Sequence, residues 1–204
     1  MHFRPRTTVL LLLGMLTAGA TPSTQTTRPA LWKVETLGVP VNAVNYKNTG
    51  GVLAAGPGGE GMMFYTSYFR STGAELVGYD FRTDTTVRRK LGSNGGYGIA
   101  VGTDGSVYVG GVNPGDLYRY DPKTDELTAI TVKQFGVQYI WDCAIGNDGT
   151  VYCAAGYPKT KLVAYDPKMN QARDLGEMVP GEQYLRSLCV DKQGKVWCGV
   201  GMNA

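Results

Sequence analysis

Histidine is almost missing from this sequence: its single copy, His2, lies beside the start of a chain of 204 residues. Beyond that position no Ser-His-Asp or Cys-His arrangement can be drawn, nor a His-containing metal site. Apolar runs are short as well. The largely apolar stretch from Thr7 to Ala20 has 14 residues, whereas a membrane-spanning helix needs about 20. After residue 30 no stretch carries the helical apolar period over a useful length, so no helical core is expected. Charge of one sign is not in excess, with 20 Lys and Arg against 17 Asp and Glu. Without a basic surplus there is no electrostatic footprint for nucleic acid or an anionic membrane. The four cysteines show no C-x-x-C spacing, which argues against a thiolate metal site.

What is present begins with a leader. His2, Arg4 and Arg6 precede the apolar run Val9 to Leu16 and the small-residue site Ala18-Gly19-Ala20. This reads as an export signal over 1–20, cleaved after Ala20, and it places the mature protein in the periplasm or outside the cell, with no membrane insertion after cleavage. A membrane anchor is the alternative, and the stretch is short for one. The Thr/Pro/Ser-rich segment 21–30 is too polar to pack and reads as a flexible linker. Taking the leader's two arginines from the 20 basic residues leaves 18 against 17 acidic ones, a nearly neutral mature chain. Its one basic cluster, Arg88-Arg89-Lys90, fits a solvated outer strand better than a phosphate site. The remainder is β-like: 43% of residues are hydrophobic, and 29 Gly and 13 Tyr sit with Val and Thr in short runs broken by turn residues.

The strongest signal is an internal repeat. Tyr97-Gly-Ile-Ala-Val-Gly-Thr-Asp-Gly-Ser-Val-Tyr-Val superposes on Trp141-Asp-Cys-Ala-Ile-Gly-Asn-Asp-Gly-Thr-Val-Tyr-Cys and on Arg186-Ser-Leu-Cys-Val-Asp-Lys-Gln-Gly-Lys-Val-Trp-Cys. The turn glycines Gly105, Gly149 and Gly194 are spaced 44 and 45 apart. Each stretch is an apolar strand, a polar turn with Gly where φ is positive, and a second alternating strand, which is a β-hairpin. A second signature marks a third strand at Leu76-Val-Gly-Tyr-Asp, Leu117-Tyr-Arg-Tyr-Asp and Leu162-Val-Ala-Tyr-Asp. Asp121-Pro122 and Asp166-Pro167 then turn the chain into a fourth.

Four antiparallel strands in a unit of about 45 residues make the blade of a β-propeller. The expected fold is therefore all-β, with blades at about 42–92, 93–136 and 137–180 and a half blade at 181–204. The segment 31–38, Leu-Trp-Lys-Val-Glu-Thr-Leu-Gly, reads as an outermost strand that closes the last blade of the ring. Three and a half blades cannot close. The simplest expectation is that they belong to a longer gene product; a ring assembled from two chains is the alternative.

The "DG-x-V-Y" hairpins and "Y-D-P-K-T" corners resemble the broad group of bacterial secreted propellers that includes gluconolactonase-like, NHL-type, YVTN-type and virginiamycin B lyase-like proteins. The resemblance covers residues 31–204 at the level of blade pattern and speaks to fold more than activity. A virginiamycin lyase-like activity implies a catalytic His, which this segment lacks. A gluconolactonase-like site implies a divalent metal held by Glu, Asn and Asp, for which Asn113 and Asp142 are conceivable donors.

Innermost strands line a propeller's channel, so the repeat predicts where a ligand would sit. The equivalent positions are Tyr97, Trp141 and Arg186, followed by Gly98, Asp142 and Ser187. Two residues earlier lie Gly95, Tyr139 and Tyr184, and after the second strands come Phe69 and Arg70, Asn113 and Tyr157. Aromatic faces mixed with Asp and Arg suit a sugar or another polar organic ligand. The candidate ligand-binding group is Tyr139, Trp141, Asp142, Tyr184 and Arg186, with packing between blades as the plainer role for any single member. Replacing Asp142 and Arg186 is expected to abolish binding without lowering the melting temperature. The functional expectation is an exported propeller that binds a carbohydrate-like ligand or a protein partner, with no cofactor; the alternative is a metal-dependent lactonase-like hydrolase or a polysaccharide lyase.

Two further patterns need placing. Gly56-Pro-Gly-Gly-Glu-Gly61 matches a dinucleotide-binding pattern by letter, but it falls at the hairpin position of the first blade, where that motif has no helix to open. Cys143 and Cys153 replace Ile99 and Val109 at equivalent positions. A three-residue turn at Asn147 to Gly149 puts them face to face across the hairpin, within disulfide range; a two-residue turn instead matches Cys189 with Cys198. Four buried thiols are the other outcome.

Overall fold

Alternating Val, Tyr, Ala and Thr between glycine turns is what a pleated, half-buried surface selects. The computed structural model describes residues 47–69 and 73–201; the leader, the linker and the 31–38 segment lie outside them. Four strands, β1 (Lys47–Ala54), β2 (Met63–Phe69), β3 (Glu75–Asp80) and β4 (Thr85–Lys90), pair in succession as an antiparallel quartet. A second quartet is formed by β5 (Gly95–Val101), β6 (Val107–Val112), β7 (Leu117–Asp121) and β8 (Glu126–Ile130). The third consists of β9 (Tyr139–Ile145), β10 (Val151–Gly156), β11 (Lys161–Asp166) and β12 (Gln171–Glu177). A last hairpin pairs β13 (Leu185–Val190) with β14 (Val196–Val200). The fold is all-β, an incomplete propeller of four-stranded antiparallel blades.

Neighbouring blades share one backbone bridge each, always from the end of a second strand to the start of the next first strand: Phe69 with Gly95, Val112 with Tyr139, and Gly156 with Tyr184. Loop hydrogen bonds, such as Gly59 N–H to the Pro122 carbonyl at 3.3 Å and Thr160 N–H to the Glu182 carbonyl at 3.1 Å, and side chains supply the rest of the join. Tyr65, Leu76, Val107, Val109 and Tyr120 bury one interface, and Tyr108, Ile140, Val151, Val163 and Tyr165 bury the next. Burying one such apolar side chain contributes about 1.5–3 kcal/mol.

The turns are built as the repeat implies. Gly105, Gly149 and Gly194 have φ of 84°, 91° and 81°, a region that penalises any Cβ. In the third blade the turn contains the three residues Asn147 to Gly149, so Cys143 faces Cys153, whereas Cys198 faces Leu188 and Cys189 faces Trp197. At the blade corners the hydroxyls of Tyr79, Tyr120 and Tyr165 donate to Asp84, Asp125 and Asn170 at 2.9, 2.7 and 2.9 Å. Those three acceptors are left-handed non-glycine residues, with φ of 57°, 59° and 49°. Gly56 to Gly61 runs between β1 and β2 through a short 3-10 turn at Pro57–Gly59, a strand-to-strand connection.

Arg88 and Arg89 of the basic cluster are engaged. Arg88 pairs with Glu75 at 3.3 Å, and Arg89 reaches from β4 to Asp125 of the next blade. Arg89, together with the Tyr120 hydroxyl, holds the Asp125 carboxyl below its ordinary value. A depressed carboxylate stabilises the fold above its unfolded pKa of about 3.9 and loses that contribution as pH falls through the folded value. The melting temperature should therefore drop in acid below about pH 4, and Asp125→Asn should flatten that limb of a Tm-against-pH curve.

Candidate functional site

First strands of successive blades, β1, β5, β9 and β13, lie side by side, and each carries a β-bulge. The register jumps between Gly96 and Ile99 in β5, across Trp141 in β9 and across Arg186 in β13, with a similar jump between Asn48 and Gly51 in β1. A bulge inserts an unpaired residue and re-aims its side chain. The bulge residues are thus the repeat-equivalent Tyr97, Trp141 and Arg186, one from each of three blades.

These three come together. The Tyr97 and Trp141 rings stack at 4.9 Å with a 13° interplanar angle, and the Arg186 guanidinium lies 4.0 Å from the centre of the Trp141 ring and 4.6 Å from that of Tyr184. Tyr139 stacks on Trp141 at 5.2 Å, and Tyr184 meets it edge-on at 5.6 Å. Tyr157, one residue past β10, closes the group against Tyr139 at 5.9 Å and Tyr184 at 6.2 Å. Four of the five candidate residues, Tyr139, Trp141, Tyr184 and Arg186, therefore form one slab. Tyr97 and Tyr157 belong to it as well. The repeat places both at channel positions, but the spacing of one blade gives no sign that rings from adjacent blades touch.

A cleft of about 330 Å³ opens beside the slab, lined by Gly50, Gly51, Tyr97, Trp141, Asp142 and Arg186. Arg186 is exposed and, among the described residues, makes no ion pair; its partners are the two rings. Tyr97 is buried, and burial pushes its hydroxyl above the ordinary range. The Trp141 indole N–H is buried without an acceptor. Tyr157 holds φ of 54°, where its second-blade counterpart Asn113 has 47°. Asn tolerates that region and Tyr does not, so the aromatic ring is kept there at a backbone cost of about 1–3 kcal/mol.

Asp142 stands apart from the other four. Its Oδ1 accepts from the Cys143 N–H at 2.9 Å and its Oδ2 from the Leu188 N–H of the next blade at 2.9 Å. The carboxylate is a strut between blades as well as a wall of the cleft, so replacing it is expected to lower stability. The Asn113 amide nitrogen donates to the Tyr139 hydroxyl at 3.5 Å. Among the described residues no group of three or more His, Cys, Asp or Glu is placed to hold a metal ion.

No family profile and no curated protein matches this chain. Solved structures do. A catalytically inactive virginiamycin B lyase from Staphylococcus aureus, crystallised with quinupristin, matches with a TM-score of 0.58 at 11% identity over 78% of this chain and 51% of its own. A streptogramin B lyase matches with a TM-score of 0.56 at 12% identity, over 72% of this chain and 47% of its own. A protein of unknown function from Bacteroides caccae gives 0.52 at 11% identity, over 77% and 57%. This chain thus spans about half the length of the structures it matches. At the level of fold, it is similar to the propellers that its blade motifs resemble.

Proposed function

We propose that this chain is part of an exported propeller whose channel face binds a carbohydrate-like ligand. The observation that carries the reading is the convergence of three bulge residues, Tyr97, Trp141 and Arg186, into one stacked surface beside an open cleft. Tyr157, exposed at the edge of the slab, leaves ring surface for the C–H face of a sugar. The exposed guanidinium adds donors in a fixed fork for ring or carboxyl oxygens. Rigid blades hold these groups before a ligand arrives, which reduces the ordering cost of binding.

A hydrolase or lyase role for the same scaffold draws on fold likeness alone. Of the conceivable donors, Asp142 has both carboxylate oxygens engaged by backbone N–H groups. A protein partner would meet the same rim.

Titration of neutral and acidic oligosaccharides, followed by calorimetry, tests the reading. Arg186→Ala should weaken binding by roughly 10- to 100-fold, the equivalent of about 1.5–3 kcal/mol for bonds to a charged group. Because Arg186 is exposed, its loss should leave the melting temperature in place. Equal affinity for wild type and Arg186→Ala, with Trp141→Ala also unchanged, would remove the site.

A further inference from the structure

The inner hairpin of the third blade places two thiols opposite one another. Cys143 and Cys153 are direct register partners, 7% and 0% exposed, inside the core between the second and third blades. Their kind of pairing can be read from the turn. The Gly146 N–H donates to the Thr150 carbonyl at 2.7 Å, which closes the hairpin with a hydrogen-bonded pair. Pairs alternate along an antiparallel ladder, so Ile145 with Val151 is non-hydrogen-bonded, Ala144 with Tyr152 hydrogen-bonded, and Cys143 with Cys153 non-hydrogen-bonded. Non-hydrogen-bonded partners are the closer kind, with Cα atoms about 4.5 Å apart, inside the span of about 4.4–6.8 Å that a disulfide bridges. The equivalent pair in the second blade is Ile99 with Val109, and in the last hairpin Leu188 with Cys198. Only the third blade carries sulfur on both sides.

We propose that Cys143 and Cys153 are joined by a disulfide that locks this hairpin, formed by exchange with a disulfide oxidant as the chain folds. One cysteine thiolate attacks a sulfur of the oxidant, a dithiol oxidase or oxidised glutathione, and expels its other sulfur as a thiol. The second cysteine thiolate then attacks the mixed disulfide, making the Sγ–Sγ bond and releasing the oxidant's remaining thiol. The two cysteine protons end on the two departing thiols, and the protein loses two electrons. Contact with Cys153, together with burial, pushes the Cys143 thiol well above its ordinary pKa. The folded dithiol is thus a poor nucleophile, which assigns the exchange to the stage before the hairpin is covered. Export would supply oxidising surroundings, but the chemistry can be tested without it.

The test is refolding of the full chain in glutathione buffers of varied oxidised-to-reduced ratio, then alkylation under denaturing conditions and tryptic mapping. The peptide 134–159 contains Cys143 and Cys153 and no other cysteine. It should lose the mass of two hydrogen atoms and resist alkylation, while Cys189 and Cys198 remain alkylated. Reductant should lower the melting temperature of the oxidised protein by roughly 5 °C. A variant with Cys189→Ser and Cys198→Ser keeps only the proposed pair and should behave identically. Alkylation of both cysteines of the peptide at every glutathione ratio, or their capture by Cys189 or Cys198, would overturn the proposal.

Discussion

Gly98→Val is expected to lower the melting temperature by roughly 6–12 °C, the response of a domain this size to about 3 kcal/mol of overpacking. Gly98 sits on β5 beside the bulge of the second blade, where the third blade holds Asp142 and the last hairpin Ser187. A Cβ at Gly98 would stand 2.7 Å from the Asp142 carbonyl carbon, 2.8 Å from its Cα and 2.8 Å from the Cys143 nitrogen. All three are backbone atoms of β9, and none can swing aside as a side chain would. The two first strands must therefore separate, dragging Tyr97 away from Trp141. Scanning calorimetry reads the first effect and quenching of Trp141 fluorescence the second. Gly98→Ala should move both in the same direction by less. An unchanged midpoint in Gly98→Val would mean that the strands stand further apart than this packing requires.

The second large effect is expected at Asp142. Asp142→Ala removes one carboxylate acceptor from two backbone donors, Cys143 N–H and Leu188 N–H. Hydrogen bonds to a charged group contribute about 1.5–3 kcal/mol, and a donor left unpaired adds its own desolvation cost. A loss of about 3 kcal/mol in stability follows, concentrated where β13 meets β9. Amide hydrogen exchange localises it: the Leu188 amide should lose protection while the amides of β5 and β6 keep theirs. Asp142→Asn should recover only part, because its amide nitrogen presents a donor to one of the two N–H groups. Equal protection at Leu188 in wild type and Asp142→Ala would show that the bond carries nothing.

The architecture was legible because its determinants are local and repeated. A turn needing positive φ demands Gly at 105, 149 and 194, and an Asp-Pro step announces a corner. The next layer was not. Asp84, Asp125 and Asn170 recur four residues after the corner's first Asp, yet that they take left-handed conformations and receive a tyrosine hydroxyl emerges only from the folded corner. The candidate site was half legible for a related reason. Equivalence between blades singled out Tyr97, Trp141 and Arg186, but strict alternation would send Trp141 and Asp142 to opposite faces of β9. The bulge breaks that alternation, and bulges carry no signature of their own when the extra residue is aromatic or charged. Contacts between blades, such as Asp142 with Leu188, join residues 46 apart, beyond the reach of any local pattern.

The shortness of the backbone seam between neighbouring blades has a mechanical consequence. Panels sewn to each other only at short seams have no extended ladder whose register must survive a change in the number of panels. Adding or deleting one alters the curvature of the wall and the width of the bore, while every other seam keeps its own short join and its own apolar lining. A gene that grows by duplicating about 45 residues can therefore resize this channel and leave the individual panels untouched.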